Sequence, residues 1–431
     1  MHLHPLPAET ILGVLQELRT RQRTCVSVVE QCLSQMDAWE PRVRAWVSVD
    51  REEALAHARD LDRDLAEGKS RGPLHGIPLG IKDLFDVVGR PTLAGAPWLP
   101  AGAATADAPV VARLRKAGAI ILGKTVTTQF ACFDPPETCN PWNLERTPGG
   151  SSSGSAAAVA TGMCLGAIGS QTGGSITRPA SFCGVAGCKP TFGLVPLEGV
   201  YPLAGSLDHA GPIARSVGDL ALLLEVMAEQ PVAAPIPCDP PRLGRLRGMF
   251  TGRAEPASLA VFEEALRALA GAGAAVSEAT LPAAFCNVLD CHRVVMTVEL
   301  AALHEPLLLD HRHDYRPCVR GLIEEGLQVP ATRYARTKRH QAQLCRDMAE
   351  AFGGADVLAC PATIGPAPTL ETTGSPAFNS CWSYTGLPVV SFPVGLSPDG
   401  LPLSMQLVGR AHDESTLFAV AEWCERQLTA P

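Results

Sequence analysis

The sequence predicts an α/β fold. Two local patterns carry that expectation. Ile77, Leu79 and Ile81 alternate with Pro78 and Gly80, the two-residue period of a strand. Residues 109–118 then read as a helix and 119–122 as a short buried strand, and strand–helix–strand order favours α/β architecture. Bulk composition agrees: of 431 residues, 46% are apolar and 19% charged, ordinary globular values that suffice to bury a large core.

In chain order, residues 9–67 read as helical. Leu12, Leu15 and Leu18 repeat at helical spacing, Val28, Val29, Cys32 and Leu33 repeat the pattern, and 53–65 is a third helix rich in Ala, Leu and charge. Residues 68–73 break these helices. The strand at 76–82 ends on Lys82, with Asp83, Leu84 and Phe85 behind it. A loop carrying Pro135, Pro136, Pro141 and Pro148 leads into 149–174, where Gly, Ser, Ala and Thr dominate. Residues 220–227 and 260–270 read as helices. Residues 288–325 are largely helical and rich in His and Arg, with Pro306 and Pro317 expected to interrupt them. Strands are expected at 357–360, 389–392 and 404–408, and a final helix at 414–426. No fixed-period repeat occurs.

The formal net charge is -8 and no Lys/Arg run marks a surface for nucleic acid or an anionic membrane, so a basic partner or a neutral small molecule is expected. The 15 cysteines are odd in number and contain no C-x-x-C. The C-x4-C pairs Cys183/Cys188 and Cys286/Cys291 lack the second half of a zinc site. Reduced, buried thiols in a cytoplasmic enzyme, with no metal, are expected. Residues 1–10 carry Pro5, Pro7 and Glu9 and no apolar run, unlike a secretory leader. The softest stretch, 156–168, falls short of the roughly 20 apolar residues a bilayer requires.

Two segments carry chemistry: Pro148-Gly-Gly-Ser-Ser-Ser-Gly-Ser-Ala-Ala-Ala and Gly169-Ser-Gln-Thr-Gly-Gly-Ser-Ile. A flexible linker would be solvated, but here the run enters the apolar stretch 156–160. A phosphate loop needs Lys then Ser or Thr after its last glycine, and neither run has them. An acyl-transfer site fits better. Thr172, Gly173 and Gly174 precede Ser175 with little side-chain bulk, which lets successive backbone N–H groups converge as an oxyanion hole requires. A serine ending such a turn is placed to attack a carbonyl.

That serine needs a base. None of the 11 histidines falls in a recognisable triad context. A lysine serves if burial lowers its pKa from about 10.4. Lys82 is either a solvent-facing residue at a strand edge or a buried functional one, and local sequence alone favours the former.

Taken together, Gly76-Ile-Pro-Leu-Gly-Ile-Lys-Asp, Pro148-Gly-Gly-Ser-Ser-Ser-Gly-Ser-Ala and Gly173-Gly-Ser-Ile resemble the amidase signature family. Lys82 and Ser151 are 69 residues apart and the two serines 24. The resemblance runs from about residue 9 to about residue 428 and includes Gly386-Leu-Pro and Gly400-Leu-Pro-Leu-Ser-Met-Gln-Leu-Val-Gly. It implies one large domain over 1–431, a mixed sheet covered by helices on both faces. Within it would lie an N-terminal helical region over 1–67, a catalytic core over 68–200, a variable helical region over 201–340, and C-terminal strands and helix over 341–431.

The resemblance also implies a Ser–cisSer–Lys triad. Ser175 would be the nucleophile, Ser151 the proton relay after a cis Gly150–Ser151 peptide, and Lys82 the base, neutral at rest. Backbone N–H groups of Thr172, Gly173, Gly174 and Ser175 would form the oxyanion hole. Ala131, in the loop after Gly123-Lys-Thr, would lie beside the scissile amide together with Ser151. Phe130, Phe133, Phe378 and Trp382 are candidates for pocket walls, Phe130 leaning toward core. No metal or organic cofactor is implied, and a homodimer is a common state of relatives.

The chain departs from the family's usual run, similar to G-S-D-T-G-G-S-I-R. Gln171 stands where Asp is common and Thr177 where Arg is common. Joint loss removes two charges at once and leaves neither buried alone. Arg178 is adjacent but expected on another side of the chain. The chain is also short for the family, with trimming expected between 199 and 318, where relatives shape the substrate entrance.

Other residues receive plainer readings. His304, His311 and His313 are expected on a solvated helix face. Ser152 and Ser153 either bond the relay serine or cap the helix starting near Gly154. Cys183 and Cys188 are core thiols, and Asp83 and Asp86 structural. The expected reaction is hydrolysis of a small or medium amide, or of a carbamate, urea-like or ester bond. One alternative is the amidase component of a tRNA-dependent amidotransferase, which works with further protein components. The other is a catalytically inactive scaffold on the same fold.

Overall fold

A computed structural model describes residues 9–99, 102–228 and 240–429. Residues 1–8, and with them most of the N-terminal segment contrasted with a leader, lie outside it. The strands are β1 (Trp46–Val49), β2 (Pro78–Lys82), β3 (Ile120–Thr125), β4 (Gly166–Gln171), β5 (Ala186–Lys189), β6 (His209–Ala214), β7 (Arg242–Leu246), β8 (Ala275–Ala279), β9 (Val357–Pro361), β10 (Val389–Leu396) and β11 (Pro402–Val408). They form one 11-stranded sheet in the order β1-β3-β2-β4-β6-β5-β10-β11-β9-β7-β8. The sheet is mixed: β2 runs parallel to β3 and β4, β7 parallel to β8 and β9, and the other neighbours are antiparallel.

Every residue of β2, β3, β4, β5, β6, β9 and β11 is buried. A strand exposes alternate residues on opposite faces, so burial of both sets requires a layer on each side. Helices supply it. Among them are Ile11–Arg19, Cys25–Val43 and Arg51–Ala66, started by Thr10, by a Thr24/Ser27 capping box and by Asp50. Helix Ser153–Ala160 is buried along its whole length and built only from Ser, Gly, Ala and Val. That smallness is structural. A Cβ on Gly154 would lie 2.1 Å from the Ala45 carbonyl oxygen.

Several expectations change. Residues 9–67 are not all helical, because β1 sits between the second and third helices and pairs with β3 at the sheet edge. Four residues with a polar Ser48 among them carry too little periodic signal to announce a strand. On the first helix Leu12 is 49% exposed, and Ile11 and Val14 join Leu15 and Leu18 on the buried face. The segment 201–340 contributes β6, β7 and β8 as well as helices. Pro306 does not interrupt its helix, which runs Val288–His311. It lies on an exposed face, where water can satisfy the carbonyl its ring leaves unpaired. Pro317 does mark a break, as the first residue of helix Pro317–Leu327. No helix among the described residues is long and apolar enough to cross a membrane.

Candidate active site

Because β2 and β4 are parallel neighbours, their C-terminal ends lie side by side. Lys82 ends β2, and Ser170 and Gln171 end β4. Lys82 is 0% exposed, so the solvent reading of its local sequence gives way. Its Nζ lies 2.7 Å from Ser151 Oγ, 2.9 Å from Ser170 Oγ and 3.3 Å from the Ser170 carbonyl oxygen. Burial pushes its pKa well below the ordinary lysine value, opposed by the Asp208 carboxylate. A neutral amine has a lone pair, so one of the two hydroxyls can donate to it.

Ser151 is 1% exposed and precedes the buried helix Ser153–Ala160. The Gly150–Ser151 peptide is cis. Its surroundings fix it from several sides. Arg178 Nη2 donates to the Gly150 carbonyl at 2.7 Å, and Nη1 to that of Gly374 at 2.8 Å. The amide of Thr128 donates to the Ser151 carbonyl at 3.3 Å, and that of Ser152 to the Ser175 carbonyl at 3.2 Å. This last bond ties the two serine segments together. Gly149 has φ +84°, and a Cβ there would lie 2.8 Å from Pro179 Cα.

The turn Thr172–Ser175 shows where its peptide groups point. The Thr172 carbonyl lies 2.8 Å from His292 Nε2, the Gly173 carbonyl accepts from Ser383 Oγ at 3.0 Å, and the Gly174 carbonyl from the Arg178 amide at 2.9 Å. With the Ser175 carbonyl bonded to Ser152, all four oxygens have partners. The amides of Gly173, Gly174 and Ser175 meet no protein acceptor among the described residues. Carbonyls held back with amides left over is the arrangement an incoming oxyanion needs. Asn379 crowds this turn: a Cβ on Gly174 would lie 2.9 Å from Asn379 Oδ1. Thr172 Oγ1 bonds Asp208, whose other oxygen accepts from the amides of Leu203 and Ala204. Burial pushes Asp208 up to about 6 and His292 down to about 4.

Ala131 ends a short turn, Gln129–Ala131, in which Phe130 (φ 49°) and Ala131 (φ 58°) are both left-handed. It lines a cavity of about 240 Å³ with Leu84, Ser170, Thr172, Tyr201 and Asp208. Phe130 is fully buried core. Phe378 and Trp382 are core as well, not cavity walls: Trp382 stacks on Phe250 with ring centroids 5.6 Å apart. Phe133 is half-buried against the core.

Other expectations are corrected here. Neither Ser152 nor Ser153 bonds Ser151 through its side chain, and Ser152, which stands at the N-cap position, makes no side-chain capping bond. Ser152 Oγ pairs with the Ser170 backbone, and Ser153 Oγ donates to the Gly149 carbonyl at 2.6 Å. Arg178 is not turned away from the site but holds the peptide before Ser151. His304 is fully buried, its Nδ1 2.8 Å from the Tyr315 hydroxyl and its ring against Phe130, because its helix packs that face inward. His311 stacks on Trp98, while His313 is exposed. Gln171 and Thr177, standing where the family's ion pair is common, are bonded to each other at 3.2 Å. Cys183 and Cys188 are buried, and Asp83 pairs with Lys124 at 2.8 Å in the interior. Sequence reasoning missed Ser170, Asp208, His292 and Ser383. Ser170 precedes Gln171 in the run 169–176 and could have been found there, whereas the other three arrive from distant elements with no local signal.

Lys82, Ser151 and the turn that carries Ser175 come together at one end of an α/β sheet, and comparison with known proteins gives the class. The family model Amidase matches residues 27–418. An amidase of Pseudomonas putida is 37% identical over 453 residues, covering 97% of this chain and 96% of the relative. A glutamyl-tRNA(Gln) amidotransferase component from Anaeromyxobacter dehalogenans is 34% identical over 455 residues, covering 93% and 92%. A crystal structure of an amidase superposes with a TM-score of 0.89 at 32% identity, over 97% of this chain and all of that one (100%). The chain belongs to the amidase signature family. It is a hydrolase of amide-type C–N bonds, and its substrate is a small or medium amide.

Proposed function

We propose that the reaction runs through Ser175, Ser151 and Lys82. Neutral Lys82 takes the Ser151 hydroxyl proton while Ser151 takes that of Ser175, and Ser175 Oγ bonds the substrate carbonyl carbon. The oxygen, now negative, lies against the backbone N–H groups of Thr172, Gly173, Gly174 and Ser175. The proton on Lys82 returns through Ser151 to the leaving nitrogen as the C–N bond breaks. Water, deprotonated along the same route, then frees the acid from Ser175.

The single observation that carries this reading is the 2.7 Å contact between Lys82 Nζ and Ser151 Oγ in a solvent-free space. The acyl group would lie between Ser151 and Ala131, and the 240 Å³ cavity that Ala131 lines with Ser170 and Thr172 suits a compact one. Amide is the favoured bond; carbamate, urea-like and ester substrates belong in the same screen. The free thiols among the described residues support a reducing, cytoplasmic setting. We extend the homodimer common in the family to this chain, for which mass in solution is the check. The test of the mechanism is acylation by an amide panel with Lys82→Ala, Ser151→Ala and Ser175→Ala, each of which should fail.

A second reading, the amidase component of a tRNA-dependent amidotransferase, draws support from the glutamyl-tRNA(Gln) amidotransferase relatives. Neutral Gln171 and Thr177 at the nucleophile's support argue for a free-standing amidase. A small protein co-purifying with the chain, with glutaminase activity only in its presence, would reverse that preference.

A further inference from the structure

Ser175 is followed at once by helix Thr177–Cys183, whose first amides need acceptors. One side chain supplies them. Gln171 Oε1 accepts from the Ile176 amide at 2.9 Å, the Thr177 amide at 3.1 Å and Thr177 Oγ1 at 3.2 Å. These donors fix which end of the Gln171 amide faces the helix. Its Nε2 lies 3.4 Å from Ser383 Oγ, which donates to the Gly173 carbonyl. Thr177 Oγ1 accepts from Asn379 Nδ2 at 3.1 Å, and Asn379 Nδ2 lies 3.3 Å from Gln406 Oε1. Gln171, Thr177, Ser383, Asn379 and Gln406 are all buried, and none can ionise. The network thus grips the backbone on both sides of Ser175 without a charge.

Gln171 directly follows Ser170, whose carbonyl and hydroxyl touch Lys82 Nζ. The ionisable groups around them are engaged elsewhere. Asp208 holds Thr172 Oγ1 and two amides, and Asp83 pairs with Lys124. Arg178 sits on carbonyls. His209 Nδ1 lies 2.7 Å from the Leu207 carbonyl and 3.3 Å from that of Gln171, His292 contacts the Thr172 carbonyl, and Lys189 donates to that of Pro190. Burial pushes both histidines down from their ordinary value. Among the described residues, Asp208 is the one carboxylate that opposes the neutral form of Lys82.

We propose that Gln171 is the positioning residue for Ser175: one uncharged side chain seats the backbone on both sides of the nucleophile. The inference rests on Ser175 acting as the nucleophile. A glutamate here would accept the same three hydrogen bonds but would no longer donate to Ser383 Oγ.

The experiment is the pH dependence of Ser175 phosphonylation by a fluorophosphonate, on wild type, Gln171→Glu and Gln171→Leu, with thermal melts as a folding check. Gln171→Leu should lower the plateau about tenfold or more and leave the acidic limb in place, since it loses the seat and adds no charge. Gln171→Glu, which keeps the three acceptor bonds, should restore the plateau to within about threefold of wild type. A Gln171→Leu plateau equal to wild type, or a Gln171→Glu plateau also down about tenfold, would overturn the proposal. A well-folded wild type that does not label would instead contradict the Ser175 role itself and take this inference with it. The isosteric glutamate variant keeps the test open if the leucine variant does not fold.

Discussion

Lys82 Nζ and Ser151 Oγ meet at 2.7 Å although 69 residues separate them, and both are closed to solvent. Two elements make the contact: β2, which carries Lys82 to the end of the sheet, and the chain entering helix Ser153–Ala160. Among the described residues Asp208 is the carboxylate that favours an ammonium here, and burial outweighs it. Burial thus favours an amine facing a hydroxyl, the state the proposed mechanism uses.

The pH dependence follows with a definite sign. In the proposed mechanism Lys82 works only after losing its proton, so acylation should rise with pH through its lowered pKa and hold above it. Because burial moves that pKa down, the limb should lie below the ordinary lysine range of about 10.4. A rate profile flat down to about pH 5, or a fully active Lys82→Ala variant, would contradict the role.

Ser151→Ala should lose roughly 10³-fold or more in acylation, because members of one catalytic unit fail together. Its thermal melt should stay near wild type. Single-turnover acylation measured with an activated amide separates this from a binding defect.

Gly174→Ala probes the oxyanion turn. The new Cβ would meet Asn379 Oδ1 at 2.9 Å and Asn379 Cβ at 3.0 Å, so the turn must shift. Loss of amide alignment should lower kcat about 10²–10³-fold with a smaller effect on KM. Gly321→Ala, an exposed helical position with nothing within 4 Å, is the control and should leave kcat unchanged.

Arg178→Met keeps length and removes the guanidinium that holds the Gly150 and Gly374 carbonyls. The Gly150 oxygen would remain buried without that donor, a loss of about 2–3 kcal/mol in unfolding free energy. Acylation should fall as well, because the peptide leading into Ser151 is no longer clamped. Denaturant melts and single-turnover rates read the two effects separately. Unchanged values for both would show that Thr128 and Ser175 hold the segment alone.

The side chains proposed to react stand in short motifs that local sequence records. A Cβ on Gly149 would press on the Pro179 backbone, and one on Gly150 or Gly174 on the side chain of Thr373 or Asn379, so these motif positions stay small. The fold class was legible too, through the alternation in β2 and the helix before β3. What local sequence does not record is where distant elements land. His292 comes from a helix more than a hundred residues after Thr172 to bond its carbonyl, and Ser383 reaches Gly173 from farther still. His304 misled for another reason. Its stretch is charged, although its neighbours one turn away, Leu300, Ala301, Leu307 and Leu308, are apolar and mark that face as interior, where Phe130 and Tyr315 pack against it. β1 was missed because its pairing with β3, not its four residues, makes it a strand.

The most direct measurement of the central claim is fluorophosphonate labelling read by intact mass on wild type and Ser175→Ala. One phosphonyl adduct on wild type and none on the folded variant is the expected result, and it would establish an activated nucleophile at residue 175. An adduct that persists on Ser175→Ala, or a well-folded wild type that does not label, would contradict it.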